Sequence, residues 1–154
     1  MGIAQTISRW GAALLIERPV RKRSIDDLIT QLNTAAEGVG ARFDQASQSD
    51  KNHAQATHII GIERWSQLRL RCALGEDFTD DEYDSYRPPR DTAWEDLPAL
   101  FRESRAETIR IAESIRDSGD SDALIAHNQY GDLSVRGWLN YIDVHANFEA
   151  KRLR

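Results

Sequence analysis

Apolar residues recur three and four positions apart along most of this chain, and almost never at every second position. Ile25, Leu28, Ile29, Leu32, Ala36, Val39 and Phe43 form one such stripe. Trp94, Leu97, Phe101, Thr108, Ile111 and Ile115 form another, and Val135, Trp138, Leu139, Ile142 and Leu153 a third. That period places each set on one face of an α-helix, because 3.6 residues complete a turn. No alternating β-branched run appears, nor an Asn-Gly or Asp-Gly pair that would turn a hairpin. The expectation is an all-α fold of four packed helices.

The length of 154 residues fits one domain spanning 1–154, with an N-terminal helix and linker over 1–23 and a helical bundle over 24–154. Hydrophobic residues at 40% and charged residues at 29% are enough for an ordinary core without a disulfide or structural metal. A net charge of −5 argues against nucleic acid as a partner, which calls for a basic face. No apolar run is long enough to span a membrane, and no signal-peptide cleavage pattern follows Ala12–Ile16. Met1-Gly2 with Thr6 fits an acylation pattern so loose that chance explains it. The lone cysteine, Cys72, fits a reducing cytoplasm.

Local signals set the element ends. Ile3, Ile7, Trp10 and Leu14 mark a short amphipathic helix that ends near Pro19, followed by a basic linker of Arg18, Arg21, Lys22 and Arg23. Ser24 caps the first long helix, with Asp26 and Asp27 in its first turn; Gly38 and Gly40 weaken its far end. The second helix runs from about Lys51 to Leu74 and stops at Gly75. Residues 76–91 read as a long, solvated acidic loop; no calcium-loop pattern is present, and a lid or interface role stays open. The third helix starts either from a Thr92–Glu95 capping box or from Asp96 with Pro98 in the first turn. Ser134 caps the last helix, which runs to the end of the chain.

At 100° per residue, His58 lies within about 40° of Ile62, Trp65 and Cys72, so it faces the core, while His53 faces solvent. His145 and Glu149 lie on or beside the last apolar stripe, one turn apart, where their side chains can meet. A carboxylate on an apolar face needs a cation, a proton or an exposed helix end. His58, His145 and Glu149 together supply three N/O donors and leave positions for water or substrate, an arrangement that suits Zn, Ni, Fe or Mn. Cys72, two to three turns from His58, reads as core. H-E-x-x-H, G-x-S-x-G, a P-loop and paired Glu-x-x-His motifs are all missing.

The segment His58-Ile59-Ile60-Gly61-Ile62-Glu63-Arg64-Trp65 resembles the histidine-bearing second helix of the DinB-like superfamily. His127-Asn128-Gln129-Tyr130-Gly131, followed by Trp138-Leu139 and His145, is similar to that family's ending, where a His-x-x-aromatic-Gly turn leads into a helix with a metal-binding His-x-x-x-His pair. Glu149 stands where the family has its final histidine, which implies altered charge and metal preference, or a degenerate site. The resemblance covers roughly residues 24–154 and implies an antiparallel bundle with up-down-down-up connectivity, a homodimer, and a divalent metal at the bottom of a cleft. It further implies a small-molecule substrate, with hydrolase or thiol-transferase chemistry, the latter using a low-molecular-weight thiol. Fold likeness does not carry function with it, so a non-catalytic bundle for binding or dimerisation is the alternative.

Overall fold

A computed structural model describes residues 10–154. Ile3, Ile7 and the Met1-Gly2/Thr6 pattern lie outside the described residues. From Ala13 to Glu17 the chain winds as a π-helical turn, continued by a 3₁₀ turn over Arg18–Val20. Ala12, Ile16 and Val20 are its buried face, whereas Trp10 and Leu14 are 70% and 53% exposed. The expected stripe through Trp10 and Leu14 is therefore corrected. Two anchors set the buried side: Ser134 donates to the Glu17 carboxylate from both its backbone N–H and its hydroxyl, each at 2.8 Å, and Asn140 Nδ2 donates to the Ile16 carbonyl at 2.9 Å.

The long helices are α1 (Ile25–Gln45), α2 (Asp50–Arg71), α3 (Leu97–Ser118) and α4 (Val135–Ala150). Ser24 and Asp27 form a reciprocal capping box at the start of α1, which continues through Gly38 and Gly40 to Gln45. Ser49 caps α2, which tightens into a 3₁₀ turn over Cys72–Leu74 and stops at Gly75 with φ 91°. For α3 the later start holds: Trp94–Asp96 make a 3₁₀ turn and Pro98 sits in the first turn, although the Asp96 side chain caps nothing. Ser134 caps α4 by accepting from the Gly137 N–H at 2.9 Å.

The described residues are mainly helical, which broadly fits the all-α expectation, with one small two-stranded sheet that the sequence did not suggest. Leu124–His127 (β1) and Gly131–Ser134 (β2) pair as an antiparallel ribbon, with Leu124 opposite Ser134 and His127 opposite Gly131. The three-residue turn Asn128–Tyr130 closes onto Gly131 at φ 80°, so the left-handed residue follows the turn instead of sitting within it. Each strand has only four residues, and in β1 the two buried residues are Ile125 and His127, so the alternation is hidden by a histidine.

Helix α1 packs on α3 and α4, and α2 packs on the same two. The buried apolar residues form two clusters. The first contains Leu28 and Leu32 of α1, Ile62 and Trp65 of α2, Ile111 and Ile115 of α3, and Trp138 and Ile142 of α4. The second contains Val39 and Phe43, Ile59 and Ile60, Leu97 and Phe101, and Ala146 and Ala150 from the same four helices. Between them lies a polar layer with one contribution or more from each helix: Gln31, Glu63, Arg105 with Thr108, and Asp143.

Part of the acidic loop is not solvated. The Asp81 backbone and carboxylate accept from Trp65 Nε1, each at 3.2 Å, and Asp81 pairs with Arg69 at 3.3 Å. Asn128 Nδ2 of the hairpin turn also donates to the Asp81 carbonyl, at 2.9 Å. Trp65 and Arg69 are both buried, so their polar atoms need protein partners, and Asp81 supplies oxygens to the indole and to one end of the guanidinium.

Candidate metal centre

Helices α2 and α4 face each other, and His58, Gln55, His145 and Glu149 meet across that contact. On α2, Gln55 precedes His58 by three residues; on α4, Glu149 follows His145 by four. Both spacings place the two side chains on one face, one above the other. His58 Nε2 lies 3.2 Å from His145 Nε2. One donor atom each from His58, His145 and Glu149 lie within 4.8 Å of one another, so this group could hold a metal ion.

The distances test that possibility. Two imidazole nitrogens bound tetrahedrally at about 2.0–2.1 Å from one cation stand roughly 3.3 Å apart. The observed 3.2 Å is close to that spacing. The same distance also allows a direct N–H···N hydrogen bond when one ring donates. Burial pushes the His145 pKa down to about 3, helped by His58 beside it. Burial and the Arg87 charge likewise lower that of His58. Both imidazoles are therefore neutral near pH 7 with lone pairs available.

Glu149 is not a frayed end residue. Its side chain is 12% exposed, because Gln55 Nε2 donates to Oε2 at 2.5 Å and Arg152 pairs with the same oxygen at 3.2 Å. Neither contact uses Oε1, which leaves that oxygen for a cation. The rim comes from the acidic loop. Tyr83 meets His58 edge-on with ring centroids 5.0 Å apart, and Gly61 lets the loop come that close. A Cβ on Gly61 would stand 2.7 Å from Arg87 Cγ and 3.3 Å from Arg87 Cα. A groove of about 400 Å³ opens at His145 and Glu149, between α4 and the N-terminal turn, with Leu15, Ile16, Tyr141, Val144 and Phe148 on its walls.

The structure thus brings together all three residues that the sequence singled out. It also adds Gln55, Tyr83 and Arg152. Gln55 had a legible signal, being one turn from His58 on the same face; Tyr83 had none, since it reaches the site from a loop. His53 is half-buried instead of fully exposed, because its Nε2 contacts the Thr92 carbonyl at 2.9 Å. Cys72 is partly buried against the first apolar cluster, away from the site.

His127 is the fourth histidine, and it sits in an aromatic cage. It stacks on Tyr130 at 4.5 Å, lies against Trp138 at 5.0 Å, and meets Trp65 and Tyr141 nearly at right angles. Its Nδ1 accepts from the backbone N–H groups of Gln129 and Tyr130, at 3.1 and 3.4 Å, so the proton sits on Nε2, which is buried without a partner among the described residues. Burial, with the Arg69 charge, pushes its pKa down to about 4. This histidine builds the floor beneath Tyr141 and Trp138.

No family model, curated protein or solved structure matches this chain. Among the described residues no helix is long and apolar enough to cross a membrane.

Proposed function

We propose that this chain is a DinB-like metal-dependent enzyme acting on a small molecule, with His58, His145 and Glu149 as the protein ligands of a divalent cation. The observation that carries this reading is the pair of imidazole nitrogens 3.2 Å apart beside a carboxylate, with a groove alongside that His145 and Glu149 line. When bound, such a cation lowers the pKa of a coordinated water or thiol towards neutrality and so supplies a nucleophile. The chain's own residues prepare the place. His58 and His145 offer lone pairs because burial keeps them unprotonated. Glu149 contributes the anionic charge that two neutral rings lack, and Gln55 fixes its carboxylate. Tyr83 covers one side of His58, and the groove leaves room for a substrate at the other end of the triad.

The bundle topology belongs to the same proposal. Helices α1 and α4 run from the first apolar cluster to the second, and α2 and α3 run the opposite way, which supports an antiparallel, up-down-down-up arrangement. A cytoplasmic location is supported by the free thiol of Cys72. A homodimer follows from the resemblance alone.

A second reading has one observation in its favour. The Glu149 Oε2 is already occupied by Gln55 and Arg152, and the two histidines can bond directly, so the cluster is able to stand without a cation. The chain would then be a non-catalytic bundle with a degenerate site. Metal analysis of protein purified without a chelating tag separates the two. The enzyme reading expects one divalent ion per chain, lost in the His58→Ala/His145→Ala variant. Metal-free protein whose melting temperature does not respond to added Zn²⁺ or Ni²⁺ would sink it.

A further inference from the structure

The groove beside the triad has a chemistry of its own. One wall is the N-terminal turn, with Leu15 and Ile16; the other is the outer face of α4, with Tyr141, Val144 and Phe148. Among the described residues that line it, only Glu149, beside His145 at its inner end, carries a charged side chain. Arg152, just past the end of α4, is committed to Glu149 and lies over the Phe148 ring. An anionic or sugar-like substrate body would find few polar partners here.

The walls are fixed, and they are greasy at the surface. Glu17 locks the N-terminal turn to the start of α4, where Gly137 leaves room for its carboxylate: a Cβ there would stand 2.7 Å from the Glu17 carboxyl carbon. Leu15, Val144 and Phe148 are 73%, 47% and 56% exposed, although each is large and apolar. Three such side chains around one groove are costly to leave in water, and they mark a binding surface. A volume near 400 Å³ is at the small end of the range for small-molecule pockets. The inner end names the other half of the ligand, since His145 and Glu149 sit there.

Resting on the metal reading above, we infer that the groove takes the uncharged alkyl, acyl or aryl body of a substrate whose one polar head, a metal-binding donor group, reaches the triad. The occupant is an amphiphilic small molecule, with its apolar part between Leu15 and Phe148 and its head beside His145. Burying each added methylene against these walls strengthens binding roughly fourfold. A polar thiol would bind only through its sulfur and gain nothing from the walls.

Calorimetric titration of the full chain, loaded with Zn²⁺ or Ni²⁺, with straight-chain hydroxamates from acetohydroxamate to octanohydroxamate tests this. Affinity is expected to rise roughly fourfold per methylene until the groove is filled. In Leu15→Glu and Phe148→Ser the rise with chain length flattens. Acetohydroxamate binding with no dependence on chain length overturns the groove assignment and leaves the metal reading intact. Failure to load metal at all removes both. Sedimentation of the wild type and Leu15→Glu covers the remaining occupant. A dimer that dissociates on this substitution, with no chain-length dependence, gives the face to a second copy of the chain and overturns the proposal.

Discussion

Two polar clusters are built into the bundle, one drawing on all four helices and one on α2 and α4 alone, and they differ in whether their hydrogen bonds close. In the central layer, Arg105 donates to both oxygens of Glu63, at 2.6 and 3.1 Å, and to the Leu32 carbonyl at 3.2 Å. Thr108 adds a donor to Glu63 at 2.9 Å, while Gln31 and Asn147 hold Asp143 at 2.6 and 3.2 Å. Glu63, Arg105 and Thr108 are all 1% exposed or less. In the α2–α4 cluster, by contrast, two neutral imidazoles turn their nitrogens towards each other, one carboxylate oxygen is left over, and a groove opens alongside. A closed network fixes helix pairing and has no capacity left for a ligand. An open one with converging lone pairs is where a cation can bind.

Breaking the closed cluster should have the largest effect. Arg105→Ala strands a buried carboxylate and is expected to cost about 3–5 kcal/mol in urea denaturation. Glu63→Gln combined with Arg105→Met should recover part of that loss, because the Glu63 charge goes with its partner while Asp143, still held by Gln31 and Asn147, loses the guanidinium. Next comes the acid limb. The folded-state pKa of His127, about 4, is below its value of 6.5 in an unfolded chain. Between those limits the unfolded state binds more protons, so stability is complete above pH 6.5 and falls as the pH is lowered towards 4. The loss is on the order of 3 kcal/mol. His127→Phe should remove this share of the dependence in denaturation curves recorded from pH 7 to pH 4 and leave the share of His145, whose pKa is likewise pushed down, to about 3.

Smaller effects sharpen the contrast at the open cluster. Gly61→Ala sets a methyl group against the Arg87 backbone and should cost about 1–3 kcal/mol, with Tyr83 displaced from His58. Fluorescence-monitored unfolding reads the first effect, and the histidine ring resonances in proton NMR read the second. Glu149→Gln should change stability least, since Gln55 and the shape of the site remain. Its effect belongs to metal affinity, which should fall by at least about tenfold, because even the loss of a partner behind a ligand costs that much. Glu149→His should restore binding by placing two imidazoles at i, i+4 on α4.

The helices and the triad were legible in the sequence because both rest on helical periodicity. Ser24, Gly75 and Ser134 marked ends that the structure keeps. The same wheel that put Ile62 and Trp65 inside also turned His58 towards His145. What was hidden depends on contacts distant in the chain. The hairpin was missed because His127 counts as polar in any hydropathy pattern, yet it is buried among aromatic rings. Asp81 looks like one more acidic loop residue until Trp65 and Arg69 are seen to need its oxygens. The N-terminal turn was assigned the wrong face because Glu17 and Ile16, which bond to Ser134 and Asn140, set its rotation.

Cobalt titration of the metal-free chain tests the central claim most directly, since Co²⁺ takes the same donors as Zn²⁺ and its visible absorption reports their geometry. With His58, His145 and Glu149 as ligands, a ligand-field spectrum should grow and saturate at one Co²⁺ per chain. It should be displaced by Zn²⁺, be absent in His58→Ala/His145→Ala, and be unchanged in Arg105→Ala protein that remains folded. A spectrum identical in wild type and the double-histidine variant, or no ligand-field absorption in either, would contradict it.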